Sequence, residues 1–135
     1  MKIIGHPWIE SECFVRVNSA DEIKKSPAAS VLLFDGIESS IDLLRYCHTQ
    51  GLPFAVETDE LKSMLFAQAL GAGYILAGSE SVEEFQAVAQ HYLFDMQIAA
   101  VIRDESEIEH YARVGIDAVI FASSIQRSGE VADAC

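Results

Sequence analysis

GYILAGSES, residues 73–81, sets a short apolar run (Tyr74, Ile75, Leu76) against a small-residue turn and the start of a helix. A buried strand feeding a helix through a tight turn is the repeating unit of parallel α/β proteins, whose ligands sit at the carboxyl ends of the strands. Two questions follow: whether the whole chain is built from this unit, and whether the turn at Gly78 and Ser79 holds a ligand or only closes a joint.

Runs of the same kind recur on both sides of it, at 13–17, 31–34, 54–56, 97–102 and 118–121, with 2–5 a further candidate edge strand. Most are continuously apolar rather than alternating, as strands covered on both faces are. Segments of helical period lie between them. Ile37, Ile41 and Leu44 form one stripe, and Leu61, Met64, Leu65 and Gln68 a second. Val82, Phe85, Val88, Ala89 and Tyr92 form a third, and Ile108, Tyr111 and Ala112 a fourth. Ser19 with Glu22, Ser39 with Asp42, Ser81 with Glu84 and Asp104 with Glu107 have the spacing of capping boxes or close to it. Gly51, Gly71 and Gly115 mark helix ends. LGAGYILAGS and VGIDAVIFASS align Gly71 with Gly115, which reads as one helix-glycine-strand joint used twice.

The expected fold is therefore one α/β domain spanning 1–135: a three-layer arrangement with a mainly parallel sheet of five to six strands, either flavodoxin-like or like half of a TIM barrel. Residues 126–135 lack apolar periodicity and read as a disordered tail. With strands starting near 31, 54, 74, 97 and 118, eight full strand-helix units do not fit in the chain. An open half-barrel exposes an apolar face and edge, so a homodimer is expected to cover them.

Half of the 135 residues are hydrophobic, enough for one sizeable core. Nine Lys and Arg against 21 Asp and Glu give a net charge of −12, a field that repels nucleic-acid backbones and anionic lipid. No apolar run approaches the ~20 residues of a membrane span, and the amino-terminal stretch MKIIGHPWIESE has no signal-like apolar core. Cys13, Cys47 and Cys135 are widely spaced, with no CxxC pair. That pattern suits reduced thiols and a cytoplasmic protein.

Ser30 to Tyr92 resembles the second half of a response-regulator receiver domain. SVLLFDG is similar to the strand that ends in the phospho-acceptor, placing it at Asp35, and PFAVET to the next strand, placing the switch hydroxyl at Thr58. The resemblance departs at Ala77, where that family carries a lysine. Ala99 to Ile125 resembles the last two units of TIM barrels that bind a substrate phosphate, such as the indole-glycerol-phosphate synthase class. The phosphate-binding glycines of that class are replaced here by Arg103-Asp104 and Ala122-Ser123.

A parallel sheet would gather Asp35, Glu57, Thr58, Gly78, Ser79, Arg103, Asp104, Ser123 and Ser124 at one edge. In that set Gly78, Ser79, Arg103, Ser123 and Ser124 are the candidate ligand-binding residues. Asp35 or Glu57 is the candidate acid/base, and Asp35, Glu57 and Asp104 are a candidate divalent-metal set. The competing reading makes Thr58, Ser79 and Asp104 helix caps, with Arg103 paired to a neighbouring acid. His6, with Glu10 and Glu12 near it, is a weak metal constellation, and the expected role of 1–12 is a turn anchored by Pro7 with Trp8 packing on the core or a partner. No metal or other cofactor is expected. Short strand-to-helix turns leave little to cover a reaction, so the leading expectation is a non-catalytic interaction or regulatory module that self-associates. The alternative is a small enzyme or sensor for a phosphorylated metabolite.

Overall fold

A computed structural model describes residues 1–128. Eight strands and five helices follow one another: β1 (Lys2–Ile4), β2 (Phe14–Arg16), α1 (Ala20–Lys25), β3 (Val31–Asp35), α2 (Ile41–Gln50), β4 (Phe54–Glu57), α3 (Leu61–Ala69), β5 (Tyr74–Ala77), α4 (Val82–His91), β6 (Gln97–Ile102), α5 (Ile108–Val114), β7 (Ala118–Phe121) and β8 (Gln126–Arg127). All eight strands form one parallel sheet in the order β1-β7-β6-β5-β4-β3-β2-β8. The sheet is curled into a half-barrel.

Two expectations change. The sheet has eight strands rather than five to six, because Lys2–Ile4 adds beside β7 and Gln126–Arg127 adds beside β2. Eight strands fit without eight strand-helix units, since β1 and β8 have only three and two residues and no helix joins β1 to β2. Of the segment expected to be a disordered tail, Gln126 and Arg127 form β8, whereas 129–135 lies outside the described residues.

The second change is the layering. One buried cluster joins alternate strand residues (Val15, Phe34, Val56, Ile75, Ile98, Val119) to helix residues such as Leu44, Met64, Phe85 and Tyr111. The other contains strand residues alone: Ile4, Phe14, Val31, Leu33, Ala55, Tyr74, Leu76, Ala99, Ala118 and Ile120. The helices thus cover one face, and the second face is covered by the curl of the sheet itself. Phe14 on β2 meets Tyr74 on β5 edge to face, 5.1 Å between ring centroids, although β3 and β4 lie between their strands. A continuously apolar strand is the same in either case, which is why two layers look like three in the sequence. Because this inner face is filled by the chain's own side chains, a second copy is not needed to cover it.

The repeated joint is physical. After α3, Gly71 (φ +94°) donates its amide to the Gln68 carbonyl and Ala72 to that of Ala67; after α5, Gly115 (φ +83°) donates to Ala112 and Ile116 to Tyr111. Both glycines adopt the left-handed conformation that this helix ending requires. The α3 stripe is narrower than its spacing suggests: Met64 and Ala67 are buried, whereas Leu65 is 40% exposed. Cys47 is buried and free, its thiol pushed up to about 11 by desolvation, which leaves it protonated and inert. Cys13, half-buried, does not stand free.

Candidate functional site

Alternation along each strand decides which strand ends face inward. Arg16 follows Phe14 by two positions, Asp35 follows Leu33, Glu57 follows Ala55, and Gly78 follows Leu76, so all four lie on the inner side at the carboxyl rim. Arg16 is central. One of its Nη atoms donates to Asp35, and the same atom lies 2.9 Å from a carboxylate oxygen of Glu57. The two acids occupy directly paired positions on β3 and β4. The Asp35 and Glu57 expected from the sequence are therefore brought together, but with an arginine between them. That arginine was not singled out in the sequence; its signal was a charge two residues after Phe14 in an otherwise apolar strand.

Arg127 is the second residue missed. Its pairing with Arg16 across β2 and β8 puts both on the same face. Both line a cleft of about 610 Å³ with Asn18, Glu22, Asp35, Ser39, Ser40 and Ser128. That volume is within the range of small-molecule sites. Glu22 is occupied locally: its carboxylate takes the Asn18 amide at 2.9 Å while the Ser19 hydroxyl takes the Glu22 amide at 3.2 Å, completing the cap of α1. Arg16 is engaged by its two carboxylates. The guanidinium of Arg127 has no polar partner among the described residues, and the Asp35 side chain is 68% exposed despite its ion pair.

The remaining expected residues are distributed round the rim. Gly78 donates its amide to the Asp59 carboxylate at 3.0 Å, so an acid of the chain itself occupies the position where a phosphate-binding turn would receive its ligand. Ser81, not Ser79, is the N-cap of α4, and its hydroxyl bonds the Asp59 carbonyl at 3.3 Å rather than a helix amide. Ser79 is exposed. The Thr58 hydroxyl accepts the Glu60 amide at 3.1 Å. Asp104 and Glu107 form the expected capping box before α5, with the Glu107 carboxylate taking the Arg103 amide at 2.8 Å and the Asp104 amide at 3.1 Å. Arg103 itself is exposed. The Ser124 hydroxyl donates to the Phe121 carbonyl at 2.7 Å and lies against Gly5, and Ser123 is exposed. Asp35, Glu57 and Asp104 do not form a group able to hold a metal, and no such group of His, Cys, Asp or Glu exists among the described residues.

His6 is placed by packing rather than for chemistry. Its Nδ1 accepts the Trp8 amide at 3.1 Å, so the ring proton is on Nε2, which donates to Glu105 at 2.5 Å. Trp8 contacts the His6 ring but is otherwise 90% exposed, so it does not pack on the core.

No protein-family model matches the chain, and no curated protein matches it. The site is accordingly read from its geometry.

The opposite end of the sheet holds a second polar cluster, and it is closed. Tyr74 faces the interior at the start of β5; its hydroxyl donates to Glu12 at 2.7 Å and lies 2.5 Å from the Lys2 ammonium, which in turn reaches Glu12 at 3.0 Å. Burial raises the pKa of Tyr74. The Tyr74 and Glu12 hydrogen bonds raise that of Lys2, and for Glu12, although burial pushes upward, the bonds from Tyr74 and Lys2 bring it below its ordinary value. Every charge in this cluster has a partner within it.

Proposed function

We propose that this domain binds a small polar molecule in the cleft of Arg16, Asp35 and Arg127 and does not transform it. The observation that carries the reading is the Arg127 guanidinium, on the inner side of the rim beside an Arg16 that already holds two carboxylates. An arginine so placed is a ready donor to an anionic group. The same rim argues against catalysis: Asp35 and Glu57 are tied to one guanidinium, and the His6 imidazole has both nitrogens engaged. A thermal-shift screen of carboxylates, phosphates and zwitterions against the native chain and Arg127→Ala tests it. Ligand at about a hundred times its dissociation constant stabilises by roughly 2.7 kcal/mol. A shift in the native chain that disappears in Arg127→Ala is the expected result; no shift with any compound refutes the reading.

Self-association is the second reading, favoured by Trp8 and Leu93, which are 90% and 86% exposed. It would use the outer surface, since the apolar inner face is already buried. Leu93 is also at φ +57°, a costly conformation for a leucine, so Leu93→Asn removes the apolar group while easing the backbone. A dimeric solution mass that falls to monomer in Trp8→Ala or Leu93→Asn would support this reading, and a monomeric native chain would end it.

A further inference from the structure

The charge balance of the cleft narrows the ligand class, and this step rests on the binding reading above. Around Arg16 there are two carboxylates for one guanidinium, which leaves one negative charge, and Arg127 brings the set to neutrality. Glu22 adds a further negative charge to the wall of the same cleft. A phosphate dianion bound at Arg127 would meet Arg16 already engaged and three carboxylates in the neighbourhood. Like charges at such range oppose binding. The glycine-containing turn that could otherwise take a phosphate has its Gly78 amide on Asp59.

What the cleft leaves open is one group of each sign. Arg127 is a cation without a partner among the described residues, and its fork matches a carboxylate. Asp35 is an anion with 68% of its side chain exposed, and a carboxylate has about four acceptor sites, of which Arg16 uses only part. Strand geometry sets the gap. Arg127 and Asp35 are two strands apart and two residues offset along the strand direction, so their Cα atoms are about 12 Å apart at ~4.8 Å per strand and ~3.3 Å per residue. The Arg127 side chain covers part of that distance. We infer that the ligand is a zwitterion that places its carboxylate on Arg127 and its ammonium on Asp35, an amino acid with several bonds between the two charges rather than a phosphorylated metabolite. Asn18, Ser39 and Ser40 line the same cleft and add polar groups to it.

The test is calorimetric titration at low ionic strength with glycine, 4-aminobutanoate and 6-aminohexanoate as zwitterions, acetate and butylamine as the separate halves, and inorganic phosphate as the competitor class. The native chain, Arg127→Ala and Asp35→Asn are compared, with melting curves showing that all three fold. Asp35→Asn leaves Arg16 its Glu57 partner, so the rim is not left with an unpaired guanidinium. The expected result is binding of one or both longer zwitterions, weakened tenfold or more by each substitution, with either half at least tenfold weaker. Binding of phosphate or acetate that depends on Arg127 and not on Asp35 would overturn the zwitterion while leaving the rim a ligand site. Binding of none of the probes, or binding indifferent to both substitutions, would overturn the inference and the underlying reading together.

Discussion

The two ends of the curled sheet use similar side chains to opposite effect. At the amino-terminal end Lys2, Tyr74 and Glu12 exhaust one another: each makes two bonds inside the trio. At the carboxyl-terminal rim Arg16 also holds two partners, but the next strand places beside it a second arginine with none among the described residues. The cause is connectivity. Glu12 arrives at the closed end because the connection from β1 to β2 runs from the rim down to the start of β2, bringing a carboxylate to Lys2 and Tyr74. Among the described residues no comparable segment brings a partner to Arg127. A closed polar cluster fixes structure, whereas an open one leaves binding capacity.

That contrast is broken most severely by loosening the interior on which both ends rest. Phe14→Ala removes a fully buried ring that reaches Tyr74 across the concave face, and should destabilise by about 3–5 kcal/mol in denaturant titration. A loss below about 1 kcal/mol would mean that the inner face is not packed as described.

The closed end comes next. Tyr74→Phe deletes the hydroxyl that bridges Lys2 and Glu12 and should cost about 1 kcal/mol, since the two remaining charges still meet each other. Its pH signature sharpens the comparison. The pKa of Glu12 is lowered on folding, so its contribution is present above its ordinary value of 4.5 and is lost as pH falls through the folded value. The pKa values of Lys2 and Tyr74 are raised, so their contributions are present below 10.5 and 10.0 and are lost as pH rises through the folded values. Melting temperature should therefore decline on the acid side more gently in Glu12→Gln than in the native chain. Identical acid limbs would show that the trio does not form.

The smallest stability effect belongs to the open end. Arg127→Ala should change stability by no more than about 0.5 kcal/mol, because the guanidinium is exposed and has no partner to lose among the described residues. If the substitution instead cost more than about 1 kcal/mol, Arg127 would be a structural residue and the two ends would not differ in kind.

Much of the fold was legible. Val31–Phe34, Phe54–Val56, Tyr74–Leu76, Gln97–Ile102 and Ala118–Phe121 all fall within strands, since a strand buried on both faces is a short apolar run bounded by polar residues and glycine. GYILAGSES poses the choice between a ligand turn and a helix joint, and the Gly78 amide is taken by Asp59, with no serine side-chain cap on the helix that follows. The site was legible in part. Asp35 and Glu57 stand at strand ends visible in the sequence, whereas Arg127 lay in a stretch with no periodicity, and a two-residue strand has too few side chains to show one.

Local chemistry, then, was set by the sequence alone: where strands and helices begin, which glycines turn the chain, and that the sheet is parallel. Tertiary structure decided the rest. The face opposite the helices is buried by the sheet's own curl, and the chain's first and last described strands, short and weakly patterned, become the two edges of the sheet. Burial leaves the same apolar pattern whatever covers it, and the pairing of Arg127 with Arg16 joins positions 111 residues apart, which no local pattern records.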